Sequence, residues 1–358
     1  LDPPVPIEAS AQPRPDIDMF RYSGEPHRYG AEAINTVLVQ SGAGIRHLGN
    51  GDPIAVPGVR GEIQRVEVIN NEIVLVLTDQ DLYAVNGRFG RLSPLGDALD
   101  GPVLDLVDAS EGGEAILWIA TADTLYRWAG GALEAVELPD VVVGNPRLSY
   151  GAIFAGQRAL WLASDDLLLA IVSEEDALTA WIIQEDVTFD LIAADIQGAF
   201  WGTLGRELYR RSAAGQWVNY VHDEVITGLS GHRDAQMLWF TAAGGSWGHL
   251  NGAFWPFPEV PAETGLAAAP RDVLIAAGAD GVYRITPTNL PPVVREVITW
   301  EEHIEPLALE QCDLCHGRGR NAHPLFAPEQ WVGEIDEILH VVRNGQMPLN
   351  APPLSARQ

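Results

Sequence analysis

Lysine is missing from this sequence: all 22 of its basic residues are arginine, and they stand against 49 acidic residues. The formal net charge is therefore −27 at pH 7. A surface this acidic repels polyanions, so nucleic acids and anionic membrane surfaces are disfavoured as partners. Long apolar runs are missing too, and no stretch of about 18 apolar residues that would span a membrane occurs.

Cysteine is almost as scarce, because the chain has two. They are Cys312 and Cys315, and His316 follows directly to give a Cys-x-x-Cys-His pentad. A zinc site needs a second pair of ligands, which no other cysteine supplies. A thioredoxin-type pair opens a helix of a βαβ unit, whereas this pentad enters a glycine-rich loop; a disulfide is the third alternative. The pattern favours covalent attachment of one c-type haem.

The spacing of the pentad has a mechanical reason. Thiols three positions apart reach the two vinyl groups of one porphyrin, so Cys312 and Cys315 form thioethers and His316 becomes the proximal iron ligand. Downstream, Met347 precedes a proline in an extended loop after an amphipathic helix, and we expect it to be the second axial ligand. His323 and His340 are the candidates for the rival bis-histidine ligation.

Residues 296–358 resemble a small class I c-type cytochrome domain. The resemblance rests on a lead-in helix over 300–310, the pentad, a second helix over about 328–343 and a Gly-Gln-Met-Pro loop at 345–348. Domains of this family normally close with a helix that crosses the first one, and residues 349–358 do not predict it. Either that helix is missing here, or a neighbouring domain or partner covers the face that it would protect.

The resemblance implies a small all-α domain that transfers single electrons. It also implies haem thioethers at Cys312 and Cys315 and axial ligands at His316 and Met347. From residue 296 onward ten acidic residues stand against four arginines. Cytochromes that dock through a ring of lysines are not a model for this chain, and we expect a redox partner with a basic docking face.

The rest of the chain is organised by an internal repeat. The clearest copies pair an apolar strand with a Leu-Tyr-Arg strand: Leu117–Thr121 leads to Leu125–Trp128, and Phe200–Thr203 leads to Leu208–Arg211. Equivalent apolar positions fall at residues 38, 75, 118, 161, 201, 239 and 275. A period near forty residues built from short strands predicts propeller blades, here seven. The repeats resemble those of the sensor propellers of bacterial two-component regulators.

The repeat divides the chain into three parts. Residues 1–16 form a proline-rich, extended linker, residues 17–295 a seven-bladed all-β propeller, and residues 296–358 the cytochrome c domain. Most tryptophans are expected to pack between blades. A strand from one terminus must complete a blade begun at the other, and either 17–22 or 293–298 is suited to this.

Two functions from different classes agree with these patterns. The favoured one is an extracytoplasmic monohaem electron carrier, periplasmic or extracellular, whose propeller is a docking module in a redox complex. A membrane-associated complex is one candidate for it. Haem is attached outside the bacterial cytoplasmic membrane, so an export signal or anchor is expected to have been removed from the chain as given.

The alternative is a dehydrogenase resembling the quinohaemoproteins, whose propeller holds a catalytic cofactor or metal and passes electrons to the haem. A metal in the propeller needs ligands that converge from several blades. The candidates are His222, His232 and His249, which fall in adjacent blades. Single histidines in turns are more often packed or exposed than ligating, so the electron carrier is preferred over a stand-alone enzyme.

Overall fold

The computed structural model describes most of the chain. It covers residues 3–294, except 24–29, 34–35, 42–43, 49–53, 56–60, 62, 70–72, 80, 87–91, 95–97, 112–113, 137–143, 155–156, 175–176, 214, 261–264, 270–271 and 279–280, and then 299–300, 304–312, 316, 325, 327–334, 338 and 341.

The described residues form seven antiparallel sheets, or blades, in chain order. Two strands precede blade one: β1 (Val5–Pro6) and β2 (Asp16–Ser23). Blade one contains β3 (Gly30–Ala33), β4 (Thr36–Ser41), β5 (Gly44–Leu48) and β6 (Ile54–Ala55). Blade two contains β7 (Ile63–Ile69), β8 (Ile73–Thr78), β9 (Leu82–Asn86) and β10 (Leu92–Pro94). Blade three contains β11 (Asp105–Asp108), β12 (Ile116–Ala120), β13 (Leu125–Ala129) and β14 (Ala132–Val136).

Blades four to seven follow the same pattern. Blade four contains β15 (Arg147–Phe154), β16 (Gln157–Ala163), β17 (Leu167–Glu174) and β18 (Ala177–Glu185), and blade five contains β19 (Leu191–Ala194), β20 (Phe200–Leu204), β21 (Glu207–Arg211) and β22 (Trp217–Val221). Blade six contains β23 (Ile226–Ser230), β24 (Leu238–Ala242), β25 (Gly245–Leu250) and β26 (Ala253–Phe257). Blade seven contains β27 (Gly265–Ala269), β28 (Val273–Gly278) and β29 (Gly281–Thr288). Blade seven has three strands from this part of the chain and takes its fourth from the N-terminal segment.

The blades close into a ring around a channel. The first strand of each blade contacts the first strand of the next, and β27 of blade seven contacts β3 of blade one. These first strands are therefore the innermost, and the fold is an all-β propeller, as the repeat predicted. Each of the seven repeat positions lies in the second strand of its blade.

Apolar side chains from neighbouring blades form the core, because a single sheet cannot cover its own faces. Between blades four and five, Trp161 packs on Phe200 with ring centroids 5.1 Å apart. Between blades six and seven, Trp239 packs with Leu274 and Ile285. Trp161, Trp201, Trp239 and Trp255 are all fully buried, which confirms the core assignment for these tryptophans.

A threonine that recurs at the end of the second strand stabilises the turn to the third strand. The Thr78 hydroxyl accepts a hydrogen bond from the Asp81 amide at 2.9 Å. The Thr121 hydroxyl does the same for the Thr124 amide at 3.1 Å. The threonine of the repeat therefore replaces part of the hydrogen bonding that the strands lose at the turn.

Strand β2 completes the ring. It pairs antiparallel with β29, from Asp16 opposite Thr288 to Ser23 opposite Val282, and forms the outer edge of blade seven. Of the two closing segments expected from the sequence, the N-terminal one is used. Of the alternative segment 293–298, residues 295–298 lie outside the described residues. Just before and at its start, the Asn251 side chain donates to the Pro292 carbonyl and accepts from the Val294 amide.

The proline-rich segment before β2 is extended, as expected, and it is bound to the propeller. Strand β1 pairs in parallel with β22 as a fifth strand of blade five. The Ser10 amide then donates to the Phe254 carbonyl of blade six at 2.8 Å. Arg14 forms an ion pair with Glu259 at 2.8 Å and lies over the Phe257 ring. This segment thus links blades five, six and seven.

Among the described residues that follow the propeller, two short helices are delimited, α1 (Glu305–Gln311) and α2 (Pro328–Gly333). Both carry a proline in the first turn, where its missing N–H is not needed. In α2 the Gln330 side chain accepts a hydrogen bond from the Ala327 amide at 3.1 Å. Helix α1 overlaps the predicted range 300–310 and extends one residue beyond it, and α2 lies within the predicted range of about 328–343. No helix in the described part of the chain is long and apolar enough to cross a membrane.

Closure by β2 predicts unequal effects of two N-terminal truncations. Removal of residues 1–15 deletes the contacts with blades five and six and keeps β2. Removal of residues 1–23 also leaves the outer edge of β29 unpaired, which costs about 3–5 kcal/mol more in free energy of unfolding, at about 1 kcal/mol per backbone hydrogen bond. Thermal unfolding followed by circular dichroism measures both. Equal melting temperatures for the two truncations would contradict the closure.

Candidate functional site

The pentad begins where α1 ends. Cys312 is the C-cap residue, and its amide donates to the Ala308 carbonyl at 2.9 Å. The His316 amide in turn donates to the Cys312 carbonyl at 2.9 Å. This bond spans four residues, as in an α-helix, so Cys312 and His316 lie one turn apart on the same side of the backbone. Cys315 lies outside the described residues.

A second set of contacts fixes the backbone of His316 from the other side. The Leu325 amide donates to the His316 carbonyl at 3.0 Å. The Leu325 carbonyl accepts from the indole nitrogen of Trp331 in α2 at 2.7 Å. Trp331 also packs edge-on against Trp300, with ring centroids 5.8 Å apart. The two tryptophans therefore support the segment that holds the histidine.

The described part of the pentad has the chemistry that a covalently bound haem requires. Cys312 and His316 are both half-buried. A thiol is the group that forms a thioether, and a neutral imidazole nitrogen binds iron. Met347, His323 and His340, the expected second axial ligand and its two rivals, lie outside the described residues.

The three histidines of blades five and six do not converge. His249 lies between Trp201 and Phe254, with ring centroids 4.5 and 4.6 Å away. The Nδ1 of His222 accepts from the Glu224 amide, and the Nδ1 of His232 accepts from the Asp234 amide. Each ring is thus used in local packing or in a turn. Among the described residues no group of three or more His, Cys, Asp or Glu side chains is placed to hold a metal ion.

Burial determines the protonation of two of these histidines. It lowers the pKa of His249 to about 3, with a smaller effect of the nearby Arg210 charge. It lowers the pKa of His232 to about 4, again with help from the neighbouring Arg233 charge. Both rings are therefore neutral at pH 7. The Nε2 of His249 has no hydrogen-bond partner among the described residues.

One arginine crosses the mouth of the propeller channel. Arg233 extends from the β23–β24 loop of blade six and donates to the carbonyls of Asp108 and Ser110 in blade three, at 2.8 and 2.7 Å. Its side chain is 10% exposed and lies over the Tyr150 ring of blade four. Blades three and six are on opposite sides of a seven-membered ring. Arg233 therefore links the two sides of the ring at this end of the channel.

Comparison with known proteins supports the fold. No protein-family model matches the chain, and no curated protein matches it either. Virginiamycin B lyase from Staphylococcus aureus, solved with quinupristin, has a TM-score of 0.56 and 13% identity, over 76% of this chain and 99% of the lyase. YCF48 bound to a D1 peptide has a TM-score of 0.55 and 12% identity, over 80% of this chain and 100% of YCF48.

A sensor propeller is similar at the same level. The extracellular domain of the one-component system BT4673 from B. thetaiotaomicron has a TM-score of 0.53 and 14% identity, over 78% of this chain and 39% of that one. The predicted likeness to sensor propellers is thus supported as a likeness of fold. The structural similarity shows that the chain is a β-propeller. At identities this low it does not assign a role to any residue.

The buried His249 predicts a specific loss of stability in acid. Its pKa in the folded protein, about 3, lies below the ordinary value of 6.5, so its contribution is complete above pH 6.5 and is lost as the pH falls toward 3. We expect His249→Phe to remove up to about 1.4 kcal/mol per pH unit from the slope between pH 6 and 4. Urea unfolding at several pH values measures this slope. An unchanged slope in the variant would contradict the assignment.

Proposed function

We propose that this protein is an extracytoplasmic monohaem c-type cytochrome that carries single electrons, with the propeller as its docking module. The observation that carries the proposal is the pentad at the end of α1, where the His316 amide bonds to the Cys312 carbonyl. A helical turn of this kind brings a thiol and an imidazole to one side of the chain. The residues after propeller closure would then form a small cytochrome c domain.

Each residue of the proposed site has a distinct task. Cys312 and Cys315 would hold the porphyrin through thioethers, which makes attachment permanent, and His316 would bind the iron from one side. Met347 would bind it from the other. The haem supplies a centre that gains or loses one electron without moving a proton. Leu325 and Trp331 hold the His316 backbone in place and would thereby limit movement of this ligand when a haem is bound.

The charge of the chain supports a protein partner with a basic surface. From residue 296 onward ten acidic residues oppose four arginines, and the whole chain carries −27. Opposite charges accelerate the encounter of redox partners more than they tighten the complex. We therefore expect a complex whose association slows at high salt, located outside the cytoplasm where haem is attached to such motifs.

The propeller is better suited to docking than to catalysis. Arg233 links blades three and six at one end of its channel, and the histidines of blades five and six are used in packing or in local turns. No observation on the described residues favours the quinohaemoprotein-like alternative. The fold itself does not distinguish a docking role from a catalytic one, because propellers similar to this one include a lyase and a protein solved with a bound peptide.

Replacement of the cysteines tests the cofactor. In a bacterial host that attaches c-type haem, Cys312→Ala with Cys315→Ala should remove all haem that survives denaturing electrophoresis, because no thioether remains. Each single variant keeps one thioether and should retain part of the signal. The propeller should still unfold cooperatively in the double variant, which shows that loss of haem is not loss of fold. Wild-type protein without covalent haem would overturn the proposal.

Replacement of Met347 tests the second axial ligand. Met347→Ala should lower the reduction potential and abolish the near-infrared charge-transfer band of ferric His/Met haem, because the thioether ligand favours the ferrous state. Met19→Ala is the matched control, since Met19 lies on the edge strand β2 and is 45% exposed. A band that persists in Met347→Ala would contradict the assignment and direct the search to His323 and His340.

A further inference from the structure

A cavity of about 810 Å³ lies between blades three and four, on the face that carries the loops between first and second strands. Its volume is in the range of pockets that hold small organic ligands. It extends from the channel mouth, where Arg233 and Asp234 enter from blade six, outward to Leu178 on the outermost strand of blade four. No residue of the proposed haem site lines it.

One wall of the cavity is apolar. Ile116 and Trp118 contribute from β12 of blade three, and Leu160 and Ile171 contribute from β16 and β17 of blade four. Trp118, Leu160 and Ile171 also belong to the core between these blades, so the wall is rigidly supported. Trp118 is 5% exposed, Leu160 1% and Ile171 2%, so a ligand with an apolar or aromatic body would touch only the outer edges of this wall.

The inner end of the cavity is lined by polar and charged side chains that pair with one another. Arg158 forms ion pairs with Glu111 at 3.4 Å and with Asp234 at 3.3 Å. The Tyr150 hydroxyl donates to Glu111 at 2.6 Å. Arg233 is held by blade three as described above. These charges satisfy one another, so this end shapes the cavity without calling for a charged ligand.

Arg127 differs from the other cationic groups of the lining. It lies on β13, directly opposite Trp118 on β12 and Glu134 on β14. Despite the excess of acidic residues in the chain, its guanidinium makes no ion pair or hydrogen bond with any residue that the structure describes. An unpaired guanidinium beside an apolar wall offers several N–H donors to an anion.

We propose that this cavity binds a small organic anion with an apolar body, whose acidic group pairs with Arg127. The body packs on Trp118 and the aliphatic wall, and the anion replaces the partner that Arg127 lacks. This site is independent of the proposed haem function. It gives the propeller a ligand-binding role in addition to docking.

The fluorescent anion 8-anilinonaphthalene-1-sulfonate is a suitable probe, tested on the full-length protein by fluorescence titration. Arg127→Gln should weaken its binding about tenfold, the size expected for one charge-assisted hydrogen bond. Leu178→Glu, which adds a negative charge at the partly exposed rim, should weaken it similarly.

Matched variants separate the site from general effects. Arg206→Gln removes an exposed arginine from the β20–β21 turn, and Ile182→Glu adds a charge to the same strand as Leu178 outside the cavity; both should bind like wild type. The uncharged analogue N-phenyl-1-naphthylamine should bind wild type and Arg127→Gln equally, which shows that the variant is folded. Absence of probe binding to wild type, or equal binding by Arg127→Gln and wild type, would overturn the proposal.

Discussion

The pairing of β2 with β29 is the contact on which the rest of the structure depends. Seven sheets that cannot bury their own faces are stable only when the ring is closed, because each blade supplies half of two interfaces. Strand β2 completes blade seven from the opposite end of the propeller sequence. The residues before it lie across blades five and six, so the N-terminal segment secures three consecutive blades. Arg233 adds a second closure across the channel, between blades three and six.

Much of the propeller was predictable because its signal is periodic. A buried second strand must be apolar in every blade, so positions such as Trp118, Trp161 and Trp201 recur at similar spacing and reveal both the number and the place of the blades. The closing strand was narrowed to two candidates and no further, because strand pairing depends on register and edges that a single sequence does not display. The binding of the proline-rich segment to the propeller was likewise not predictable, because it depends on backbone hydrogen bonds that leave no pattern in the sequence.

The haem-site proposal could be made from the sequence for the opposite reason, since the motif consists of five adjacent residues, and it stays a prediction. The contacts that hold the pentad in place were not predictable from the sequence. The contact of Leu325 with His316 and the packing of Trp331 on Trp300 join residues that are separated in sequence and carry no motif. Arg233 reaches a partner 125 positions away. The state of Arg127 required the structure as well, because a missing ion pair is not visible in composition.

The proposed account joins an acidic, closed propeller to an electron-carrying haem segment within one chain. Its central claim is that one haem is covalently bound. Intact-protein mass spectrometry on the chain purified from its native host, under denaturing conditions, tests this most directly. The account predicts a mass that exceeds the sequence mass by one haem, with no unmodified species. A mass equal to that of the sequence, with the two cysteines reduced or joined in a disulfide, would contradict it.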